Sequence, residues 1–420
     1  MNYFESNYFT YKNSDLFCEN VNLEEIAQNV GTPVFVYSKK FFTDQFKAFE
    51  NAFKNINHKI FYASKANYNI NVIRLFNQLG AGIDVNSAGE FYRAIKAGVL
   101  PKDMIMTGVG KTDEEIKLSL EKNVSLIKAE SIQEIHQINL LAKEMDKIAP
   151  LAIRVNPNVD AATHPYISTG LAENKFGIDE TLAMQIFTEA NKLTNIKLLG
   201  IDMHIGSQIT KIQPFVDAIS KLVSIVEKLK EVNINLTHID VGGGLGVKYN
   251  DEKTFTVDEF AKAIIPVLSK TKCEIFFEPG RFLTANGGAL ISKVLYTKKN
   301  LAKNFLVVDA AMTDLLRPSI YGAYHHIQPL KLKDPKDIIV DVVGPVCESG
   351  DFLAKNRNIS ACEKNDLIAV MSAGAYGMVM ASNYNARRKP AEVLVDGDTF
   401  RIIRERETFE QQIQNEKIVI

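Results

Sequence analysis

Lys65 closes the apolar run Phe61-Tyr62-Ala63-Ser64 and precedes Ala66-Asn67-Tyr68-Asn69, where a helical pattern begins. A primary amine is thereby delivered at the mouth of a strand-to-helix turn, where partial desolvation makes it a nucleophile able to form an imine with a carbonyl group. A lone lysine is more often a solvated surface charge, so the other chemistry-bearing residues have to decide. Gly242-Gly243-Gly244-Leu245-Gly246 has almost no side-chain bulk, so its backbone amides can surround a phosphate, although glycines equally serve tight turns. His204-Ile205-Gly206-Ser207 offers a ring that can stack on a flat ligand and a hydroxyl that can donate to a phosphate; a histidine satisfied by a backbone carbonyl is the plain alternative. Glu278-Pro279-Gly280-Arg281 supplies an acid that can keep a pyridine nitrogen protonated, or can simply pair with Arg281.

A second group of residues lies further along the chain. Cys347-Glu348-Ser349-Gly350-Asp351 follows Gly344-Pro345, which puts the thiol on a loop, less like an inert core cysteine and more like a proton donor or nucleophile. In Ala373-Gly374-Ala375-Tyr376-Gly377, Tyr376 offers a hydroxyl to a phosphate or substrate, or packs over a glycine turn. Arg317, with Tyr321 four residues on, suits a carboxylate because the planar guanidinium fork matches that shape; an exposed surface arginine is the dull reading. Asp84 and Arg154, at strand ends, are expected as supporting members of a site or as packed ion pairs.

The elements that must position these groups are legible as eight short runs rich in Val, Ile and Phe: 60–63, 82–85, 104–107, 124–128, 151–155, 198–204, 238–241 and 274–277. They alternate with helical patterns and are apolar throughout, as strands buried on both faces should be, which predicts a (β/α)8 TIM barrel. Ser87 to Glu90, Thr112 to Glu115, Ser131 to Glu134 and Thr256 to Glu259 fit the capping-box pattern for the helices that follow. In such barrels chemistry sits at the carboxyl ends of the strands, where Lys65, His204, the glycine stretch and Glu278 all fall. From 286 onward the rhythm becomes β-rich, at 289–296, 305–308, 338–343, 367–371 and 392–395, predicting an all-β domain. The expected organisation is an N-terminal segment 1–32 pairing into the β domain through its 8–11 piece, a barrel over 33–285 and the β domain over 286–420.

At 420 residues with a formal net charge of −1, the chain has room for about two domains and no global pull toward nucleic acid or an anionic surface. No uncharged apolar run approaches the roughly 18 residues needed to span a bilayer, and the first residues lack a leader's basic and apolar regions. Neither a nucleic-acid nor a membrane partner is expected. Cys18, Cys273, Cys347 and Cys362 lie far apart without metal-ligand spacing, which fits free thiols in the cytoplasm and no metal site.

Taken together, Tyr62-Ala63-Ser64-Lys65-Ala66-Asn67, His204, Ser207, the triple glycine and Glu278 to Arg281 resemble the fold type III pyridoxal-phosphate decarboxylases, which share an alanine-racemase-like barrel and a β domain. The resemblance covers nearly the whole chain. It implies pyridoxal 5′-phosphate as cofactor, with Lys65 as the lysine that carries it and His204, Ser207, Gly244, Glu278, Pro279, Gly280, Arg281 and Tyr376 as its cradle. Cys347 to Asp351, together with Tyr384-Asn385-Ala386-Arg387-Arg388-Lys389-Pro390, is similar to the branch acting on diaminopimelate. That branch implies decarboxylation of meso-2,6-diaminopimelate to L-lysine, the last step of lysine biosynthesis. Cys347 is then the acid that reprotonates the substrate, while Arg281, Arg317, Tyr321, Glu348 and Tyr376 contact it. The resemblance also implies a homodimer with active sites shared across the interface. His326 stands where the family pattern leads one to expect an acid. The rival readings are decarboxylation of ornithine, arginine or carboxynorspermidine, or a non-catalytic cofactor-binding regulator on the same fold.

Overall fold

The structure is a computed structural model describing residues 3–161, 164–167, 169–171, 173–333 and 337–420. It divides into two compact units, one of Gln45–Val247 and Lys253–Phe282, the other of Met1–Asp44, Lys248–Glu252 and Leu283–Ile420.

The first unit is a closed parallel barrel. Its strands are His58–Ala63, Gly82–Val85, Met104–Met106, Leu126–Ala129, Ala149–Asn156, Ile196–Asp202, His238–Asp240 and Glu274–Phe277, here numbered one to eight; each pairs with the next, and strand eight returns to strand one. These are the eight runs expected from the sequence, with no end moved by more than two residues. Thr112 and Thr256 make complete capping boxes with Glu115 and Glu259. Ser87 and Ser131 accept the expected amides of Glu90 and Glu134, but those two carboxylates turn back one residue further, to the backbone N–H groups of Asn86 and Glu130. Each such cap stabilises a helix start by about 1 kcal/mol.

Inside the barrel the period of two decides what meets what. Phe61, Ile105, Leu126, Ala152 and Phe276 form one apolar cluster. Gly82 belongs to this level: a Cβ there would lie 2.5 Å from the Phe61 ring, so the missing side chain makes room for the aromatic one. Two residues further along the same strands come Asp84, Thr107, Lys128, Arg154 and Glu278, all buried, joined by Asp202 and Asp240 from strands six and seven. The carboxyl end of the barrel is therefore lined with charge directly above a packed hydrocarbon floor.

In the second unit, seven strands run in the order Phe352–Ser360, Asp337–Val343, Asn304–Val308, Gly288–Lys299, Val34–Ser38, Ala391–Asp396 and Thr399–Arg404, with Leu367–Val370 pairing to Gly288–Lys299 and Ile327–Pro329 to Leu367–Val370. The sequence reading gave residues 33–44 to the barrel. They fall in this unit because Val34–Ser38 pairs antiparallel with Gly288–Lys299 and parallel with Ala391–Asp396. Residues 283–285 likewise move across. The N-terminal residues, expected to pair into the β domain, fall in this unit as a three-stranded sheet of Phe9–Lys12, Asp15–Cys18 and Val21–Asn22, which meets the rest of the unit through an antiparallel bridge between Asp15 and Lys331. It shares the unit's core, where Phe9, Leu16 and Cys18 pack with Val36, Ile291 and Val393. Among the described residues no helix is long and apolar enough to cross a membrane.

Candidate active site

Strand one ends at Ala63, and Ser64–Ala66 forms a single 3-10 turn that lifts Lys65 out of the barrel wall. The Lys65 side chain is 38% exposed, and its Nζ lies 3.9 Å from Oδ2 of the fully buried Asp84. Behind it the Ser64 hydroxyl lies 2.8 Å from the Asp84 carbonyl and 3.0 Å from Glu90. Burial, chiefly, raises the Glu90 pKa. The Pro279 carbonyl accepts the Ala63 N–H at 3.3 Å, and a Cβ on Gly280 would come within 3.0 Å of the Ala66 Cβ. Pro279 and Gly280 therefore bring the strand-eight loop against the lysine turn as closely as backbone allows.

The triple glycine does the same for the loops after strands six, seven and eight. Gly242 and Gly244 sit at φ +69° and +104°, conformations that favour glycine. A Cβ on Gly242 would lie 2.5 Å from the Met203 carbonyl, one on Gly244 2.5 Å from the Gly206 carbonyl, and one on Gly243 would collide with the Glu278 carbonyl. Gly243 donates its N–H to Nδ1 of His204 at 3.3 Å, which places the imidazole proton on Nε2. Burial, then the positive charges of Lys65 and Arg154, hold the His204 pKa well below the usual histidine range, so the ring is neutral. The Ser207 hydroxyl accepts from Arg281 Nη2 at 2.9 Å and Nε at 3.2 Å. Arg281 thus pairs with Ser207, and the simple Glu278–Arg281 ion pair weighed from the sequence is not what holds Glu278.

Glu278 instead reaches Nζ of Lys128, 150 residues away in sequence, which also donates to Asp240 at 2.6 Å and Asp202 at 2.8 Å. All four groups are buried. Burial alone would drive the Lys128 ammonium toward neutrality, but the three carboxylates outweigh it and raise its pKa well above the ordinary value. Burial and mutual repulsion raise Glu278 well above, and Asp240 to about 6. Three acids around one ammonium cannot all ionise at ordinary cost. Arg154 stands beside them, paired with Glu130 at 3.0 Å and 3.9 Å from Asp202, which bears out its reading as a packed ion-pair member. Of the segment 163–177 between strands five and six, Thr163, Ser168 and Ala172 lie outside the described residues; Ile167 accepts the Ser207 N–H at 3.0 Å, and Gly177 donates to Glu130 at 3.1 Å.

The remaining predicted residues lie in the second unit. Arg317 and Tyr321 bracket the short helix Arg317–Tyr321. The buried Arg317 guanidinium donates to His325 Nε2 at 2.7 Å and stacks 4.4 Å from the centre of the Tyr249 ring. His325 Nδ1 in turn donates to the Met371 carbonyl at 2.8 Å, which fixes its neutral tautomer. Cys347 is a free, exposed thiol whose backbone N–H donates to Asn385 Oδ1 at 2.8 Å. Asn385 and Ala386 both sit at positive φ, +55° and +53°, a local strain of about 1–2 kcal/mol per residue. Glu348 hydrogen-bonds the Tyr384 hydroxyl and raises its pKa. Tyr376 is half-buried, also at φ +55°. His326 is held neutral: burial, then Arg357, lowers its pKa to about 4, and its Nε2 has no hydrogen-bond partner among the described residues.

The sequence reading missed Lys128, Asp202, Asp240, Tyr249 and His325 as members of these clusters. The signal for the first three was present: a charge right after an isoleucine at the end of a strand-like run, in Ile127-Lys128, Ile201-Asp202 and Ile239-Asp240.

The residues present fit pyridoxal phosphate: a partly exposed amine, a neutral imidazole, a buried acid at the end of strand eight, and a cradle whose loops a single Cβ would force apart. The family described as pyridoxal-dependent decarboxylase, pyridoxal binding domain, matches residues 40–285. The chain is 46% identical to diaminopimelate decarboxylase of Neisseria meningitidis serogroup B over 401 residues, 96% of this chain and 97% of that one. Diaminopimelate decarboxylase from Helicobacter pylori, solved in complex with L-lysine, superposes with a TM-score of 0.90 at 41% identity, covering 94% of this chain and 98% of that one. The diaminopimelate decarboxylase of M. jannaschii, also solved with L-lysine, gives 0.93 at 37% identity, covering 98% of each chain.

Proposed function

The chain belongs to the pyridoxal-dependent decarboxylase family, and from that membership together with the site we infer its reaction and the part each residue plays. It is a carboxy-lyase that converts meso-2,6-diaminopimelate to L-lysine and carbon dioxide, the last step of lysine biosynthesis, with pyridoxal 5′-phosphate as cofactor. When bound, the cofactor supplies an aldehyde for an amine and a ring that accepts the electron pair left as carbon dioxide departs.

The observation that carries the reading is Lys65, partly exposed at the end of strand one and opposite glycine loops too close to admit a side chain. Lys65 would hold the cofactor through its aldehyde, and its amine is the one a substrate amine would have to replace. His204, neutral and fixed by Gly243, offers its ring face to the cofactor without adding charge. Ser207, oriented by Arg281, and the backbone at Gly244 and Gly280 hold the phosphate end. Glu278 would hold the ring nitrogen, Pro279 sets the loop that carries it, and Tyr376 would add a hydroxyl to the phosphate or the substrate. Cys347 delivers the proton to the substrate carbon that lost its carboxylate. Arg281, Arg317 and Tyr321 grip the distal carboxylate while Glu348 takes the distal ammonium, which is why one acid and two guanidiniums are needed. The chain acts as a homodimer in which the Cys347 loop serves the partner subunit's barrel. Four free thiols support a reducing compartment, the cytoplasm, as its location.

Borohydride reduction followed by peptide mapping tests this directly: a pyridoxyl adduct on Lys65 is expected, and its absence removes the assignment. Carbon dioxide release is expected from meso-diaminopimelate in preference to ornithine, arginine or carboxynorspermidine. Cys347→Ala should lose turnover by about 10²-fold or more while retaining cofactor, the usual contribution of a positioned acid.

A further inference from the structure

The cluster beneath Glu278 is larger than an acid facing a ring nitrogen requires. One carboxylate would suffice for that contact, yet strands four, six and seven contribute Lys128, Asp202 and Asp240, and burying two further acids and an ammonium is costly unless the group as a whole performs a task. Asp202, Asp240 and Glu278 have the spacing of a metal site. The space among them is already filled, because Lys128 Nζ lies 2.8 Å from Asp202 and 2.6 Å from Asp240 while also touching Glu278. Asp240 is fixed from its other side, its Oδ1 accepting the Gly242 N–H at 2.8 Å, and Asp202 lies 3.9 Å from Arg154. The two aspartates thus clamp the ammonium in place and aim it at strand eight.

We propose that Lys128 is a positioning residue for the decarboxylation: clamped by Asp202 and Asp240, it keeps Glu278 ionised so that the proton shared between Glu278 and the cofactor's ring nitrogen resides on the nitrogen. The inference rests on the reading that Glu278 faces that nitrogen. The proton balance is simple. A carboxyl O–H bond at Glu278 breaks, an N–H bond on the ring forms, and the carboxylate left behind is neutralised by an ammonium already within contact. Without Lys128, Glu278 would be one of three acids in an apolar hole, its affinity for the proton would rise, and the proton would return to oxygen. Burial and neighbouring acids already push the Glu278 pKa up, and among the named influences Lys128 is the one that pulls it down.

The test uses whole enzyme reconstituted with pyridoxal phosphate labelled with ¹⁵N in the ring, whose nitrogen chemical shift separates protonated from neutral pyridine. Glu278→Gln should move the shift to the neutral value; if it stays protonated, the placement of Glu278 at the ring falls, whatever Lys128 does. With that control behaving, Lys128→Met should move the shift toward neutral and weaken cofactor binding by about tenfold, which is what a change of one in a pKa is worth. Asp240→Asn keeps an amide oxygen able to accept from Lys128 but removes a competing negative charge, so it should hold the nitrogen protonated or move it further that way. A protonated shift retained in Lys128→Met overturns the inference, and so does a move toward neutral in Asp240→Asn, because general damage to the site displaces both variants in one direction. Should Lys128→Met not fold, the pair Lys128→Met/Asp240→Asn, which removes one buried charge of each sign, takes its place. A shift toward neutral is expected there too, and the wild-type value overturns the proposal.

Discussion

Within the barrel, Leu126, Ala152 and Phe276 face inward at one level, and Lys128, Arg154 and Glu278 face inward two residues further along the same strands. The lower level is held by loss of apolar surface from water, a non-directional gain of roughly 25 cal/mol per Å² that needs only shape and volume. At the upper level each ion costs several kcal/mol to bury, recovered only through specific partners at hydrogen-bond distance. The contrast teaches where to look for each property. Stability should respond to volume changes below, and chemistry to charge changes above, although one strand step separates them.

Phe276→Ala should break the lower level most severely, costing about 3–5 kcal/mol of stability by leaving a cavity under His238, whose ring stacks on it at 4.6 Å. Denaturant unfolding measures this, and the ring-nitrogen shift of the bound cofactor should stay at its wild-type value. Glu278→Gln should do the reverse, lowering kcat by about 10²-fold or more with no comparable fall in melting temperature. Gly82→Ala pushes a methyl into the Phe61 ring and should cost about 1–3 kcal/mol in thermal unfolding, again with cofactor chemistry intact.

The smallest effect concerns pH. Because the folded-state pKa of Asp240 is raised to about 6, its contribution to stability is full below the unfolded carboxylate range and is lost as pH rises through 6. Wild type should therefore lose stability between about pH 4 and 6, and Asp240→Asn should flatten that fall. The lower-level variants Phe276→Ala and Gly82→Ala should show the wild-type slope unchanged.

The sequence carried the strands because their signal is local: continuous apolarity, and a Ser or Thr three residues before a Glu. It carried Lys65 and the glycine loops for the same reason, since each sits where a strand pattern stops. Lys128 was visible only as the last residue of a strand-like run. What gives it meaning is barrel closure, which sets it against residues 74, 112 and 150 positions away. Val34–Ser38 was misassigned for a related reason. It fell within the expected barrel bounds because nothing in its own residues names its partners, and only the pairing with Gly288–Lys299 and Ala391–Asp396 places it. The capping glutamates Glu90 and Glu134 followed the expected pattern in position but not in partner, because a carboxylate can serve either of two adjacent amides.

The ammonium of the barrel's charged level comes from strand four, and its counter-ions come from strands six, seven and eight. A chain emerging from the ribosome therefore carries this lysine for 74 residues before the first of its acids appears and for 150 before Glu278, the last. Affinity for the coenzyme cannot accumulate strand by strand; it should appear only once the ring is complete, which makes loading a report on finished folding and leaves truncated products empty.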